Sequence, residues 1–206
     1  CANFTSKHFE QGAILEFQGG VAQNAVPDEA FAVVRGDIEK FPPADRIRIS
    51  QDESGVKLTA EGIGGHASHA EGTINAIGLI ADYLIRYDLV SEDEKRYLSM
   101  VSLLCGDHLG RGLGIQCDDG IFPPLSIIGG MMRMENGVMK QNFDSRYPTN
   151  TSGEELVEKL AELGKEYGVE ITDVENSVPF YIGTDKPEIQ KIGISYLRIV
   201  GFAYPL

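Results

Sequence analysis

Four histidines are spread through 206 residues, and imidazole is the side chain best suited to moving protons, ligating metals or meeting developing negative charge near neutral pH. One of them stands in surroundings that suggest such work, within Gly62-Ile63-Gly64-Gly65-His66-Ala67-Ser68-His69. The pattern predicts that His66 ends a strand just before a helix N-terminus. Small residues on both sides leave its ring accessible, and a helix end adds positive potential. Such a histidine can donate a hydrogen bond to an oxyanion formed during catalysis. The alternative is a histidine that only caps a turn. His69 completes a His-x-x-His pair and Glu71 is close, but the two imidazoles straddle a strand-to-helix junction and no Cys or third His lies nearby, so no metal site is expected. His8 and His108 have polar or Gly-rich surroundings that suit solvated rings.

Two further side chains could bind a substrate. On the strand predicted over 138–147, alternation places Lys140, Asn142, Asp144 and Arg146 on one face and Met139, Phe143 and Tyr147 on the other. The Arg146 guanidinium can hold a substrate carboxylate bidentately, or it can pair with Asp144. Asn24, before Val26-Pro27, can offer an amide to a peptide group or serve a turn. Other signals are weaker. Gly110-Arg111-Gly112-Leu113-Gly114 lacks the strand-loop-helix context of a dinucleotide fingerprint and reads as a flexible loop. Glu154-Glu155 opens a helix, Asp118-Asp119 sits in a loop, and Cys1 has no identifiable base or oxyanion donors to make it a nucleophile.

The elements that must position these groups follow from periodicity. Short apolar runs over 13–17 and 30–34 read as strands. Ile47 and Ile49, then Val56, Leu58 and Ala60, alternate around Asp52-Glu53-Ser54-Gly55 as a hairpin. Ile74, Ile77, Ala81, Leu84 and Ile85 form one helical stripe, with Ser68 and Glu71 at capping-box spacing before it. Ser91 and Glu94 repeat that spacing ahead of Tyr97, Leu98, Val101, Leu104 and Cys105. After a Gly- and Pro-rich stretch over 106–124, strands are predicted over 125–134 and 138–147 around Asn136-Gly137. A helix capped by Thr151 and Glu154 and a strand over 169–174 complete the pattern. This is an α+β grammar: two ferredoxin-like lobes of mainly antiparallel strands with helices on one face. The lobes are expected over 1–110 and 111–186, with 187–206 as a tail.

Composition excludes several functions. Thirty-one acidic against eighteen basic residues give a net charge of −13, which repels phosphate backbones and anionic lipid surfaces, so neither nucleic acid nor membrane is an expected partner. No apolar run reaches the ~18 residues of a membrane span. Three cysteines are too few for a disulfide framework and fit a reducing, cytoplasmic setting.

Three segments in order resemble one family, the zinc aminoacylase, carboxypeptidase G and carnosinase-like metallopeptidase superfamily, and within it the PepV-type dipeptidases. They are Gly19-Gly20 through Asn24-Ala25-Val26-Pro27-Asp28-Glu29-Ala30, Gly65-His66-Ala67-Ser68 through Gly72-Thr73-Ile74-Asn75-Ala76, and Asn142-Phe143-Asp144-Ser145-Arg146-Tyr147-Pro148. The likeness covers about residues 10 to 190, and departs where Ala70 replaces a usual Pro and Gly65 an Ala. It implies a lid (dimerisation-type) domain in which His66 stabilises the oxyanion of the tetrahedral intermediate. Arg146 would bind the terminal carboxylate of a dipeptide or N-acyl amino acid, and Asn24 the substrate backbone. The family's two zinc ions are held by a His-x-Asp motif, carboxylates and a late His that have no counterpart here. The resemblance therefore implies a catalytic domain elsewhere in the same chain, and a lid that by itself binds no zinc and hydrolyses nothing. The competing reading is a self-contained ferredoxin-like binding or assembly module; flanking coding sequence with a His-x-Asp upstream and a late His downstream would decide for the enzyme.

Overall fold

The computed structural model describes residues 1–177 and Lys186; the expected tail over 187–206 lies outside them. The strands are β1 (Ala2–Ser6), β2 (Ile14–Gly19), β3 (Ala25–Val26), β4 (Glu29–Val34), β5 (Ile47–Gln51), β6 (Val56–Glu61), β7 (Gly65–His66), β8 (Ser126–Glu135), β9 (Val138–Arg146) and β10 (Val169–Thr172). The helices are α1 (Ala76–Arg86), α2 (Glu92–Gly106) and α3 (Gly153–Glu166). Eight strands form one antiparallel sheet in the order β10-β1-β9-β8-β2-β4-β6-β5, and β3 pairs with β7 as a separate two-stranded ribbon. The fold is thus α+β, with the helices on one face of the large sheet.

The predicted hairpins form as the alternation requires. In β6, Val56, Leu58 and Ala60 are buried while Lys57 and Thr59 are half-buried. Asn136 and Gly137 take φ of 50° and 74° in the β8–β9 turn, the double positive-φ geometry that Asn-Gly favours. Ser91 and Glu94 make the expected capping box on α2. Glu94 does more than cap: its fully buried carboxylate also accepts from the backbone N–H of Ala13 at 3.0 Å and Ile14 at 2.9 Å, tying α2 to the start of β2. The one-residue shift of the α3 cap from Thr151 to Ser152 follows from Ser152 Oγ accepting from Glu155 N–H.

Other expectations are corrected. The helix after His66 begins at Ala76, not beside His66, and its cap is Asn75 in place of the Ser68–Glu71 pair. Asn75 accepts from the N–H groups of Ile77 and Gly78, and its Nδ2 donates to Gly129 O at 2.7 Å, so one buried side chain both caps α1 and ties it to β8. Ile74 lies outside the helix and bridges Ile63. The Gly-rich stretch 110–114 is built, with Gly110 and Gly114 at positive φ, Asp107 accepting three backbone N–H groups, and Leu113 and Ile115 buried in the core.

β1 escapes the periodicity, and it inserts between β9 and β10 although it opens the chain. The strands that the sequence divides between two lobes join at two places: β1 of the first pairs with β9 and β10 of the second, and β2 meets β8, where Gly19 pairs with Met132. One apolar core on the helical face takes in Phe4, Phe143, Ile127, Leu104, Ile80 and Leu58. A second, small cluster of Val26, Ala67, Ala70 and Ile128 lies on the opposite face. No helix among the described residues is long and apolar enough to cross a membrane.

Candidate functional site

His66 stands on an excursion between β6 and α1 whose base is closed by the Ile63–Ile74 bridge, with N–H···O distances of 2.8 and 2.9 Å. Glycine is needed at that base: a Cβ on Gly62 would lie 2.1 Å from Ile74 O. Within the excursion, β7 leads into a single 3-10 turn, Ala67–His69, that packs on β8 and β9. Ala67 and Ala70 bury their methyl groups against Ile128, leaving His66, Ser68 and His69 exposed.

Asn24 arrives from the other side. After β2 the chain turns at Gly20 (φ 72°), where a Cβ would stand 1.9 Å from Gly130 O. Gly130 returns the requirement, since its own Cβ would stand 2.2 Å from Gln23 O. Side-chain-free backbone on both strands lets the loop carrying Asn24 settle onto β8. From there β3 pairs with β7, Ala25 opposite His66, and Ala67 N–H donates to Asn24 O at 2.9 Å.

The result brings together two of the three predicted residues. Nδ2 of Asn24 lies 3.3 Å from Nε2 of His66, although 42 residues separate them. The other ring nitrogen, Nδ1, accepts from Ser68 N–H at 3.2 Å and lies 2.9 Å from Ser68 Oγ, which is 2.8 Å from His69 Nδ1. His66 thus caps a turn and also keeps Nε2 directed at the exposed rim. It borders an open cleft of about 800 Å³ that Gly20, Pro27, Gly65 and Arg133 also line. Arg133 is fixed there by its donations to the carbonyls of Gly19 and Gly20. Ser68 serves the His66 ring and not the helix N-terminus that its spacing to Glu71 suggests. The Ser68 role was legible in the His-x-Ser-His spacing, whereas nothing local marks Arg133.

Arg146 is not in this group. Its Nε and Nη2 both donate to Oδ2 of Asp144, at 3.1 and 2.9 Å. Asp144 is 3% exposed and its Oδ1 accepts from Cys1 Sγ at 3.0 Å. Arg146 keeps 58% of its side-chain surface exposed and lines a separate depression of about 490 Å³ with Cys1, Phe143, Tyr147 and Leu156. Asp144 shares a side of the sheet with the His66 turn: it pairs in register with Ile128, whose side chain meets Ala67 below that turn, and residues paired across strands point to one face. The depression beside Arg146 is not confined to that side, since Leu156 and Leu160 of α3 also line it.

Among the described residues no group of three or more His, Cys, Asp or Glu is placed to hold a metal ion. The chemistry this arrangement offers is polar: a ring nitrogen and an amide converging on one point, and an exposed guanidinium at another.

No family model matches the chain. Among curated proteins, a bacterial dipeptidase by name is similar over most of it. This is "Putative dipeptidase YtjP" of Bacillus subtilis (strain 168), 26% identical over 194 residues, a match that takes in 88% of this chain and 41% of that protein. The chain therefore spans well under half the length of the relative it matches.

Proposed function

We propose that this chain is the lid region of a metal-dependent dipeptidase, closing over a catalytic domain carried by the rest of the polypeptide. In this reading His66 donates a hydrogen bond to the oxyanion formed when the scissile carbonyl is attacked. Asn24 meets the substrate backbone beside it, and Arg146 receives the terminal carboxylate of a dipeptide or N-acyl amino acid. The observation that carries the reading is the convergence of Asn24 and His66 at 3.3 Å on an exposed rim, built by backbone pairing between two distant loops. The likeness to a protein named as a dipeptidase supports the substrate class. Zinc, implied by the family resemblance, finds no ligand set among the described residues, and what these residues do is bind, orient and stabilise charge.

The test uses the intact, full-length protein. His66→Ala is expected to lower kcat on dipeptides by about 10²- to 10³-fold with little change in KM, and Arg146→Ala to act chiefly by raising KM. An effect of His66→Ala confined to KM would remove the oxyanion role, and absence of peptide hydrolysis by the intact protein would remove the whole reading.

A further inference from the structure

We propose that Ser68 and His69 are positioning residues that hold His66 as its Nε2–H tautomer, so that the ring turns a donor hydrogen toward the Asn24 side. The inference rests on hydrogen-bond order alone; its catalytic meaning rests on the lid reading above.

A neutral imidazole carries one N–H and one lone pair. Ser68 N–H is a backbone donor that cannot change its role, and it points at His66 Nδ1 from 3.2 Å. Nδ1 is therefore the lone pair, and the proton is on Nε2. Ser68 Oγ, 2.9 Å from the same Nδ1, must then donate its only hydrogen to it, because an oxygen lone pair facing a nitrogen lone pair at that distance is repulsive. With its hydrogen spent, Oγ can only accept from His69 Nδ1 at 2.8 Å, which makes His69 the Nδ1–H form. The order is His69 Nδ1–H to Ser68 Oγ–H to His66 Nδ1, leaving His66 Nε2–H directed outward.

The same logic fixes Asn24. Nitrogens and oxygens of a side-chain amide exchange places by a simple flip. If Nδ2 of Asn24 faced His66 Nε2, the ring would accept at both nitrogens, which a neutral imidazole cannot do. Asn24 therefore turns Oδ1 to Nε2–H in the resting state, and its NH2 group is free for a substrate carbonyl. A developing oxyanion takes the place of a neutral amide oxygen as acceptor, and charge-assisted bonds are the stronger kind.

Long-range proton–nitrogen correlation spectra of the isotope-labelled 206-residue chain, recorded at about pH 8 where an ordinary imidazole is neutral, read each tautomer directly. His66 is expected to show a protonated Nε2 and an unprotonated Nδ1, and His69 the reverse. Ser68→Ala, at an exposed position, removes the shorter bond to Nδ1 and leaves only the backbone one at 3.2 Å, so it should mix the His66 tautomers with an unchanged circular dichroism spectrum, and Ser68→Thr should restore the single form. A proton on His66 Nδ1, an Nε2–H His69, or a His66 tautomer indifferent to Ser68→Ala would overturn the proposal. In the intact protein Ser68→Ala is expected to lower kcat by about 10- to 100-fold, as loss of a tautomer-fixing partner does elsewhere. The predicted tautomers without any loss of turnover would uphold the hydrogen-bond order and count against His66 as oxyanion donor, which separates the two failures.

Discussion

Arg146 and Asp144 show how one side chain can be both structural and available. The buried Asp144 carboxylate receives Nε and Nη2 on a single oxygen, which fixes the guanidinium plane while the rest of the fork remains exposed. Arg146→Ala strands that carboxylate with, among the described residues, only the Cys1 thiol donating to it, and a buried acceptor left short of partners costs about 1–3 kcal/mol. Urea unfolding should show that loss, and Asp144→Asn in the same chain should recover part of it, because the group left behind is then neutral. A double variant no more stable than Arg146→Ala would mean that the stranded Asp144 charge is not the source of the loss. At this scale the sequence was informative where chemistry is local: small residues flank His66, and alternation put Asp144 and Arg146 on one face. It left open which partner Arg146 takes, because the choice depends on how deeply Asp144 is buried under an element distant in sequence.

Elements here are held by carboxylates that accept backbone N–H groups. Asp119 lies in the loop before β8 and holds it to the chain after β9. Thr149 donates to it through its hydroxyl at 2.6 Å and its N–H at 2.8 Å, and Ile121 and Phe122 donate their N–H groups. The Thr149 hydroxyl first, and then these backbone donors, push the carboxyl far below the ordinary Asp range. The folded state thus favours the charged form. Its contribution is complete above the unfolded value of about 3.9 and is lost as pH falls below that toward the folded value. The stability difference between the native chain and Asp119→Ala is expected to be largest near pH 7 and to shrink by about pH 3 in parallel urea titrations; a difference constant over that interval would contradict the assignment. Capping of this type was legible for α2, because Ser91-x-x-Glu94 precedes an unbroken apolar stripe. It misled for α1, because Ser68-x-x-Glu71 has the same spacing while Ile74 is taken by the bridge that closes the His66 excursion, which moves the cap to Asn75.

For the whole molecule, the question is whether two halves joined through β1 and through β2 and β8 behave as one. They share a continuous apolar core on the helical face, with the Phe4 and Phe143 rings tilted against each other, centroids 4.6 Å apart, at one end and Leu58 of β6 at the other. Phe4→Ala and Leu58→Ala, each removing a fully buried side chain, are expected to cost about 3–5 and 2–5 kcal/mol and to lower the midpoint of one shared unfolding transition. Two resolved transitions, each sensitive to one variant, would show independent halves. The α+β class and most elements could be read from periodicity, but the union of the strands into one sheet could not. β1 offers only Ala2, Phe4 and Ser6 as an inward face, and a junction that rests on Gly19 opposite Met132 leaves no pattern in either segment.

Gly129 and Gly130 turn to opposite sides of that sheet. A Cβ on the first would press on Cys105 Sγ of α2 at 2.9 Å, and a Cβ on the second on Gln23 O beside Asn24 at 2.2 Å. At this point a bare peptide backbone is the entire wall between the helical layer and the candidate site. Neither position has room for even one methyl group: on Gly129 it would crowd Cys105 of α2, and on Gly130 it would crowd the backbone that carries Asn24.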